Sequence, residues 1–116
     1  MTTPTDLPFD LPPGQVAKLH GEGVLQLIDI REPYEREAGH IAGSRHIELP
    51  DLSAEAPTID PSVPVVFVCR VGGRSTMAAA AFARAGYDAH NLDGGMVAWA
   101  QAGLTLEPEN GCVADH

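Results

Sequence analysis

Apolar positions along the chain fall into short runs of two kinds, and the first kind predicts strands. The run VLQLIDI at 24–30 is apolar, rich in β-branched residues and free of breakers, which is typical of a buried strand. The run VPVVFV at 63–68 is apolar on both faces, as interior parallel strands are. The segment RHIEL at 45–49 predicts a weaker strand, and YDAHNL at 87–92 predicts another.

Helical patterns lie between these strands. Residues 11–20 predict a short first helix that ends at Gly21. Residues 32–39 predict a helix of about two turns, with Pro33 at the first helical position. The proline- and acid-rich loop that follows is expected to hold a helical turn around residues 52–56.

A longer helix is expected directly after the strand at 63–68. Ser75 or Thr76 can cap its first turn, and Gly86 suits a left-handed exit at its end. One face carries small or flexible apolar side chains, and we expect this face to pack on the sheet. It consists of Met77, Ala81 and Ala85.

The last helix is expected between Gly94 and Gly103, with Met96, Trp99 and Ala100 on one side. Strands that alternate with helices predict an α/β fold with a largely parallel sheet. The sequence divides into an N-terminal segment at 1–10, one domain at 11–107 and a flexible C-terminal tail at 108–116.

Composition narrows the classes of function. The chain has 116 residues, the size of one compact domain, and a formal net charge of −9. Its acidic residues are spread along the sequence, which argues against nucleic acid or an anionic membrane as a partner. Two cysteines are too few for a disulfide framework, and the first residues lack the features of a signal peptide. We therefore predict a cytoplasmic protein.

The cysteine at the end of the strongest strand is the main candidate for chemistry. Cys69 is followed by Arg70, Val71, two glycines and Arg74, and then by the long helix. Ligand sites in open α/β folds form where a strand hands over to a helix. Glycines permit a loop whose N–H groups converge on one point, and the positive end of the helix favours a thiolate there.

A plainer interpretation competes with this one: most free cysteines are small buried hydrophobes, and most surface arginines are simply solvated. That interpretation leaves unexplained why glycines, arginines and a helix start arrive together beside Cys69. A reactive thiol in a local anion site is therefore the preferred interpretation.

Four motifs in order resemble the rhodanese, or sulfurtransferase, family. The run CRVGGRS at 69–75 resembles its active-site loop, and VPVVFVC at 63–69 resembles the strand before that loop. The segment LIDIREPYEREAGHIAGSRHI at 27–47 is similar to the first family signature, and NLDGGMVAW at 91–99 to the last. The resemblance covers residues 11–107 approximately.

This resemblance implies a rhodanese-like, five-stranded and mostly parallel sheet with helices on both faces. It implies that Cys69 is the catalytic nucleophile, which takes the outer sulfur of thiosulfate as a persulfide and passes it to cyanide or a thiol. It further implies that the loop binds the substrate, with Arg70 and Arg74 gripping the donor's sulfonate and the loop amides holding the persulfide. The substrate-binding loop residues are Arg70, Val71, Gly72, Gly73 and Arg74. No cofactor is implied.

Alternatives stay open at this point. A persulfide relay between protein partners and a regulatory binding module are both compatible with the family. The related phosphatases and arsenate reductases have a longer loop between cysteine and arginine, whereas four residues separate Cys69 from Arg74. By analogy with those families, a tighter loop suits one sulfur atom better than a phosphate.

The remaining polar candidates are interpreted as structural. Asp29 is expected to brace the loop edge and Arg31 to pair with an acid. The histidines lack metal-ligand spacing, so no metal site is expected. Cys112 lies in the polar tail, and we keep as a hypothesis that it reaches Cys69 and resolves its persulfide by thiol exchange.

Overall fold

The computed structural model describes residues 7–115 and contains one parallel sheet of five strands. The strands are β1 (Asp10–Leu11), β2 (Gln26–Asp29), β3 (Arg45–His46), β4 (Val65–Val68) and β5 (Ala89–Leu92). Their spatial order is β1-β5-β4-β2-β3, and every adjacent pair runs parallel. The predicted α/β class with a parallel sheet is confirmed.

Helices and turns connect the strands. The helices are α1 (Pro13–Gly21), α2 (Pro33–Ala38), α3 (Leu52–Glu55), α4 (Gly73–Arg84) and α5 (Gly95–Gln101). Short 3-10 turns at Leu49–Asp51 and Ala56–Thr58 flank α3. Among the described residues, no helix combines the length and apolar character that crossing a membrane requires.

The central strand β4 divides the interior into two apolar clusters because its side chains alternate between the sheet faces. Val65 and Phe67 face the cluster that α3 and α4 cover, and Val66 and Val68 face the cluster that α1 and α5 cover. All four side chains are fully buried. The helices therefore lie on both faces of the sheet, as the family resemblance implies.

The long helix differs from the sequence prediction in two respects. It begins at Gly73, with Gly72 as its left-handed N-cap, so Ser75 and Thr76 lie inside its first turn and neither caps it. Its sheet-facing side chains are Ser75, Ala78, Ala79 and Phe82. The predicted face is wrong, because Met77, which belongs to it, is 74% exposed.

The face of α4 that was predicted to pack on the sheet instead lines an open apolar cleft between α4 and α3. Ala81, Ala85, Leu49 and Leu52 contribute to its walls, and its volume is about 470 Å³. A helix period fixes which residues share a face but not which face meets the sheet, and alanine-rich α4 has two apolar candidates. The exit of α4 agrees with the prediction, since Gly86 has a φ of +97°.

The fifth strand, β1, is absent from the sequence prediction. Asp10 and Leu11 pair with Asn91 and Leu92 of β5, and Asn91 N–H donates to the Phe9 carbonyl at 2.9 Å. Two residues bounded by prolines carry no alternating pattern that could reveal a strand. The sheet edge therefore includes Asp10, which the sequence division assigns to the N-terminal segment.

The C-terminal tail (108–116, described through residue 115) returns to the domain. Cys112 N–H donates to the Ala38 carbonyl at 2.8 Å, and Val113 packs against the cluster on the α1 and α5 side. Just before the tail, Glu107 pairs with His40 in an antiparallel bridge. The flexibility of this segment stays a prediction, while its path in the structure is against α2 and the loop after β4.

Candidate active site

Cys69 directly follows β4, and its sulfur lies at the first turn of α4. The sulfur accepts hydrogen bonds from the Gly72 N–H at 3.1 Å and from the Ser75 N–H at 3.4 Å. Both N–H groups lie at the start of α4, where backbone N–H groups have no partner within the helix. The helix dipole also favours negative charge at this end. The predicted convergence of amides on this sulfur is present, although the donors are Gly72 and Ser75 rather than every residue from Arg70 to Arg74.

The Ser75 hydroxyl connects the sulfur to the interior. Its Oγ lies 3.2 Å from the Cys69 sulfur, 3.3 Å from the Gly72 carbonyl oxygen and 2.5 Å from Asn91 Oδ1. Asn91 Nδ2 donates in turn to Asp10 Oδ1 at 2.9 Å, which orients the amide. The sequence pattern indicates Ser75 only as a cap and carries no signal for Asn91, whose position follows from the register of β5.

The backbone of the loop is fixed from the opposite side by the start of α5. Met96 N–H donates to the Cys69 carbonyl at 2.9 Å, and Val97 N–H donates to the Arg70 carbonyl at 3.0 Å. Gly95 makes this approach feasible, because an added Cβ would lie 2.5 Å from the Cys69 carbonyl oxygen. Its φ of +62° is a second reason for glycine. The final family motif thus supports the loop.

The second loop arginine, Arg74, is committed to a buried carboxylate. Its two terminal nitrogens donate to Glu35 at 3.0 and 3.1 Å, and Glu35 is fully buried in α2. The hydrogen bonds to Glu35 raise the pKa of Arg74, loss of hydration opposes this rise, and the charge of Glu35 adds to it. Arg74 therefore holds α2 against α4 beside the sulfur.

Arg70 has different partners. Its Nε donates to the Ala114 carbonyl at 3.1 Å, and its Nη2 lies 3.5 Å from a carboxylate oxygen of Asp115. Both partners belong to the C-terminal tail. The other loop residues stand apart from these contacts, with Val71 at 58% exposure and Gly73 open to solvent at the start of α4.

A buried ion pair lies at the end of β2, where Asp29 is in register with Val68 of β4, and no contact that bears on the predicted bracing of the loop by Asp29 is seen among the described residues. Arg31 is fully buried and binds Asp29 through Nε at 2.9 Å and Nη2 at 2.8 Å. Its Nη2 also donates to the Gly39 carbonyl at 2.8 Å, which ties the end of β2 to the end of α2. The expected pairing of Arg31 with an acid is confirmed. Arg36 adds a longer contact to Asp29, at 3.4 Å.

Tyr34 is a residue near the site that the sequence pattern does not reveal. Loss of hydration raises its pKa most, the charges of Glu35 and Glu32 raise it further, and the charges of Arg74 and Arg70 oppose them. The half-exposed Tyr34 side chain thus lies in the field of both loop arginines. Pro33 signals that α2 begins here, but it says nothing of the approach of Tyr34 to the loop.

The exposure of the thiol bears on how a substrate reaches it. Cys69 is 1% exposed, so almost none of its surface is open in this conformation, while the amides of Gly72 and Ser75 point at its sulfur. Three histidines each contact a backbone carbonyl oxygen through a ring nitrogen. They are His40 with Arg36, His46 with Arg31 and His90 with Pro8.

Two bacterial sulfurtransferases are similar to most of this chain. Thiosulfate sulfurtransferase GlpE of Pseudomonas aeruginosa PAO1 is 41% identical over 88 residues, which cover 75% of this chain and 79% of the relative. Thiosulfate sulfurtransferase GlpE of Pseudomonas fluorescens Pf-5 is 36% identical over 90 residues, covering 77% of this chain and 82% of the relative.

Solved structures show the same fold. A rhodanese-related protein of Thermoplasma volcanium superimposes with a TM-score of 0.78 at 22% identity, over 84% of this chain and 95% of that one. A Rhodopseudomonas palustris protein, described as a possible tyrosine phosphatase, gives 0.72 at 29% identity, over 84% of this chain and 83% of that one. The sequence model for the Rhodanese-like domain matches residues 12–102, most of the chain and all of the loop after β4. The chain belongs to the rhodanese-like domain family.

Proposed function

We propose that this protein is a sulfurtransferase that carries a sulfane sulfur on Cys69, from thiosulfate or a similar donor to a thiol or cyanide. The observation that carries the proposal is the sulfur of Cys69 at the start of α4, with two backbone N–H groups directed at it. Relatives at about 40% identity that are named thiosulfate sulfurtransferase support the same chemistry.

The first half-reaction would form a persulfide. The Cys69 thiolate attacks the outer sulfur of thiosulfate, a new S–S bond forms, and the bond between the two thiosulfate sulfurs breaks. Sulfite leaves with the electron pair of the broken bond, so the electrons balance within the two reactants. The amides of Gly72 and Ser75 are fixed by the helix before the reaction, and such donors stabilise negative charge without reorganising.

The second half-reaction would regenerate the thiolate. A cyanide ion or a thiolate acceptor attacks the outer sulfur of the persulfide and leaves as thiocyanate or as a new persulfide, while the electron pair returns to Cys69. Because the donor product departs before the acceptor reacts, ping-pong kinetics are expected.

An intact-mass measurement tests the proposal directly. Thiosulfate should add one sulfur atom to the protein, and cyanide should then remove it. Cys69→Ala should show no added sulfur, whereas Cys112→Ser should behave as the unsubstituted chain does in this first step. A stable chain that gains no sulfur from thiosulfate or from a persulfide donor would refute the sulfurtransferase function.

Substitution of the two loop arginines should change different kinetic constants. Arg70→Gln is expected to raise the KM for thiosulfate about threefold to tenfold, because it removes a charged hydrogen-bond donor whose carboxylate partner, Asp115, is exposed. Arg74→Ala is expected to slow both half-reactions equally, since it releases Glu35 and loosens the loop. A rise in KM that exceeds the slowing of persulfide discharge in Arg74→Ala would instead assign the sulfonate grip to Arg74.

Two other functions give different results in the same assays. A persulfide relay predicts faster transfer from a persulfidated donor protein than from thiosulfate or mercaptopyruvate. Phosphatase activity, which the description of the Rhodopseudomonas palustris neighbour raises, predicts release of phosphate from an aryl phosphate. We expect no phosphate release above that of Cys69→Ala, because Ser75 stands where the longer phosphatase loop would place its arginine.

A further inference from the structure

The C-terminal tail lies beyond the part of the chain that the family model matches, which ends at residue 102. It is nevertheless attached to the domain, both directly and through Glu107, the residue just before it. Glu107 N–H donates to the His40 carbonyl at 2.7 Å, and the His40 N–H returns a bond to the Glu107 carbonyl at 2.9 Å. Further on, the Cys112 N–H binds the Ala38 carbonyl at 2.8 Å. These contacts place the tail along the end of α2.

Two glycines permit the tail to lie this close. A Cβ on Gly39 would lie 2.8 Å from the Cys112 backbone nitrogen, and a Cβ on Gly111 would lie 3.0 Å from the Ala38 carbonyl oxygen. Gly39 has an extended φ of 175°, which any residue adopts, so only the proximity of the tail requires a glycine there. The surface that receives the tail therefore matches it sterically.

The end of the tail reaches the guanidinium of Arg70. The Ala114 carbonyl and the Asp115 carboxylate both contact it, at 3.1 and 3.5 Å. A carbonyl and a carboxylate are oxygen ligands of the kind that an anionic sulfur donor would present. Arg70 directly follows Cys69 in the chain, and its charge acts on Tyr34 together with that of Arg74.

The two loop arginines differ in how easily they could change partner. Release of Arg74 would leave the fully buried carboxylate of Glu35 without this cation, which is costly. Release of Arg70 would return a fully exposed Asp115 to water, which costs little. Of these two arginines, Arg70 is thus the one poised to exchange an internal ligand for an external one.

We propose that the C-terminal tail is an internal competitor for anionic donors, occupying Arg70 through Ala114 and Asp115 until a donor displaces it. This inference rests on the proposed function for the identity of the donor. A competitor of this kind lowers the apparent affinity for anions by the fraction of time that the tail is bound. Uncharged reagents, which gain nothing from Arg70, are not discriminated against in this way.

Alkylation of Cys69 tests the competition without any sulfur transfer. The Cys69 thiolate displaces iodide from iodoacetate and from iodoacetamide in the same way, and the two reagents differ in charge, so the ratio of their alkylation rates reports whether Arg70 accepts an anion. The measurement uses the Cys112→Ser chain, which leaves one thiol. Asp115→Asn should raise the iodoacetate-to-iodoacetamide ratio about twofold to fivefold, the range for losing an exposed ion pair.

Three further variants make the result specific. Glu109→Gln removes the same charge from the tail at a residue away from Arg70 and should leave the ratio unchanged. Gly39→Ala preserves every charge but displaces the tail, so it should raise the ratio as Asp115→Asn does. Arg70→Gln should abolish the effect of Asp115→Asn.

The outcomes distinguish this inference from the proposed function. A ratio that stays constant or falls in both Asp115→Asn and Gly39→Ala would overturn the competition, even if thiosulfate still forms a persulfide. A raised ratio in a chain that forms no persulfide would retain the competition and reject the sulfurtransferase. An equal rise of the ratio in Glu109→Gln would mean that the net charge of the protein, and not the contact with Arg70, causes the effect. That result would also overturn the proposal.

Discussion

Asp29→Asn is expected to destabilise the domain by about 3–5 kcal/mol, the usual result of leaving one member of a buried ion pair without its partner. The change keeps the shape of the side chain but removes the charge that both Nε and Nη2 of Arg31 bind. Arg31 is fully buried and cannot turn to water. Such a loss is a large part of the stability of an ordinary domain, about 5–15 kcal/mol. Urea unfolding followed by circular dichroism measures it.

A matched control separates burial from charge. Glu55 and Arg45 form an exposed pair at 3.2 Å, so Glu55→Gln should cost less than about 1 kcal/mol. The double variant Asp29→Asn with Arg31→Met should recover part of the loss, because it removes the stranded cation. Equal small costs for Asp29→Asn and Glu55→Gln would show that the buried pair contributes no more than an exposed one.

Gly95→Ala should damage both the fold and the site. The new Cβ would lie 2.5 Å from the Cys69 carbonyl oxygen and 2.6 Å from that of Arg70, both backbone atoms that cannot rotate away. It would also impose a left-handed φ of +62° on alanine. We expect a loss of about 3 kcal/mol or more in the free energy of unfolding, from strain and overpacking together. Sulfur transfer should fall even in the molecules that remain folded, because α5 can no longer hold the loop.

Gly103→Ala supplies the control for this substitution. Gly103 has a similar φ of +77° just after α5, but a Cβ added there would meet nothing within 4 Å. Its replacement should therefore cost only the conformational term, about 1–2 kcal/mol, and leave the rate of sulfur transfer unchanged. If the two alanine variants lose the same stability and both keep full activity, the close approach of α5 to the loop does not contribute to sulfur transfer.

The parts of the fold that depend on continuous apolar runs were predictable from the sequence. The β4 run and the glycine-bounded helices carry strong local signals, and the position of Cys69 at a strand end follows from them. The short strand β1 has no such signal, because its formation depends on an edge that β5 provides. The predicted face of α4 was wrong for a related reason: alanines on two sides made the helix pattern ambiguous.

The sequence predicted where the loop beside Cys69 lies, but not which side chains from other elements contact it. The loop after β4 and its glycines are visible as a motif, whereas Glu35 and Asn91 come from other elements and meet the loop only through the tertiary fold. Two arginines of the same type, four positions apart, have an exposed and a buried partner respectively. Burial of a partner is a property of packing, and no local pattern reports it.

The hydroxyl of Ser75 has a single hydrogen, yet three acceptors surround it: the Cys69 sulfur, the Gly72 carbonyl and Asn91 Oδ1. It can satisfy only one of them well at a time. Under the proposed function, negative charge would move onto the Cys69 sulfur and off again, and rotation about one C–O bond of Ser75 would be enough to follow it. A change of charge at the Cys69 sulfur would therefore require the Ser75 hydroxyl hydrogen to turn, but no heavy atom to move.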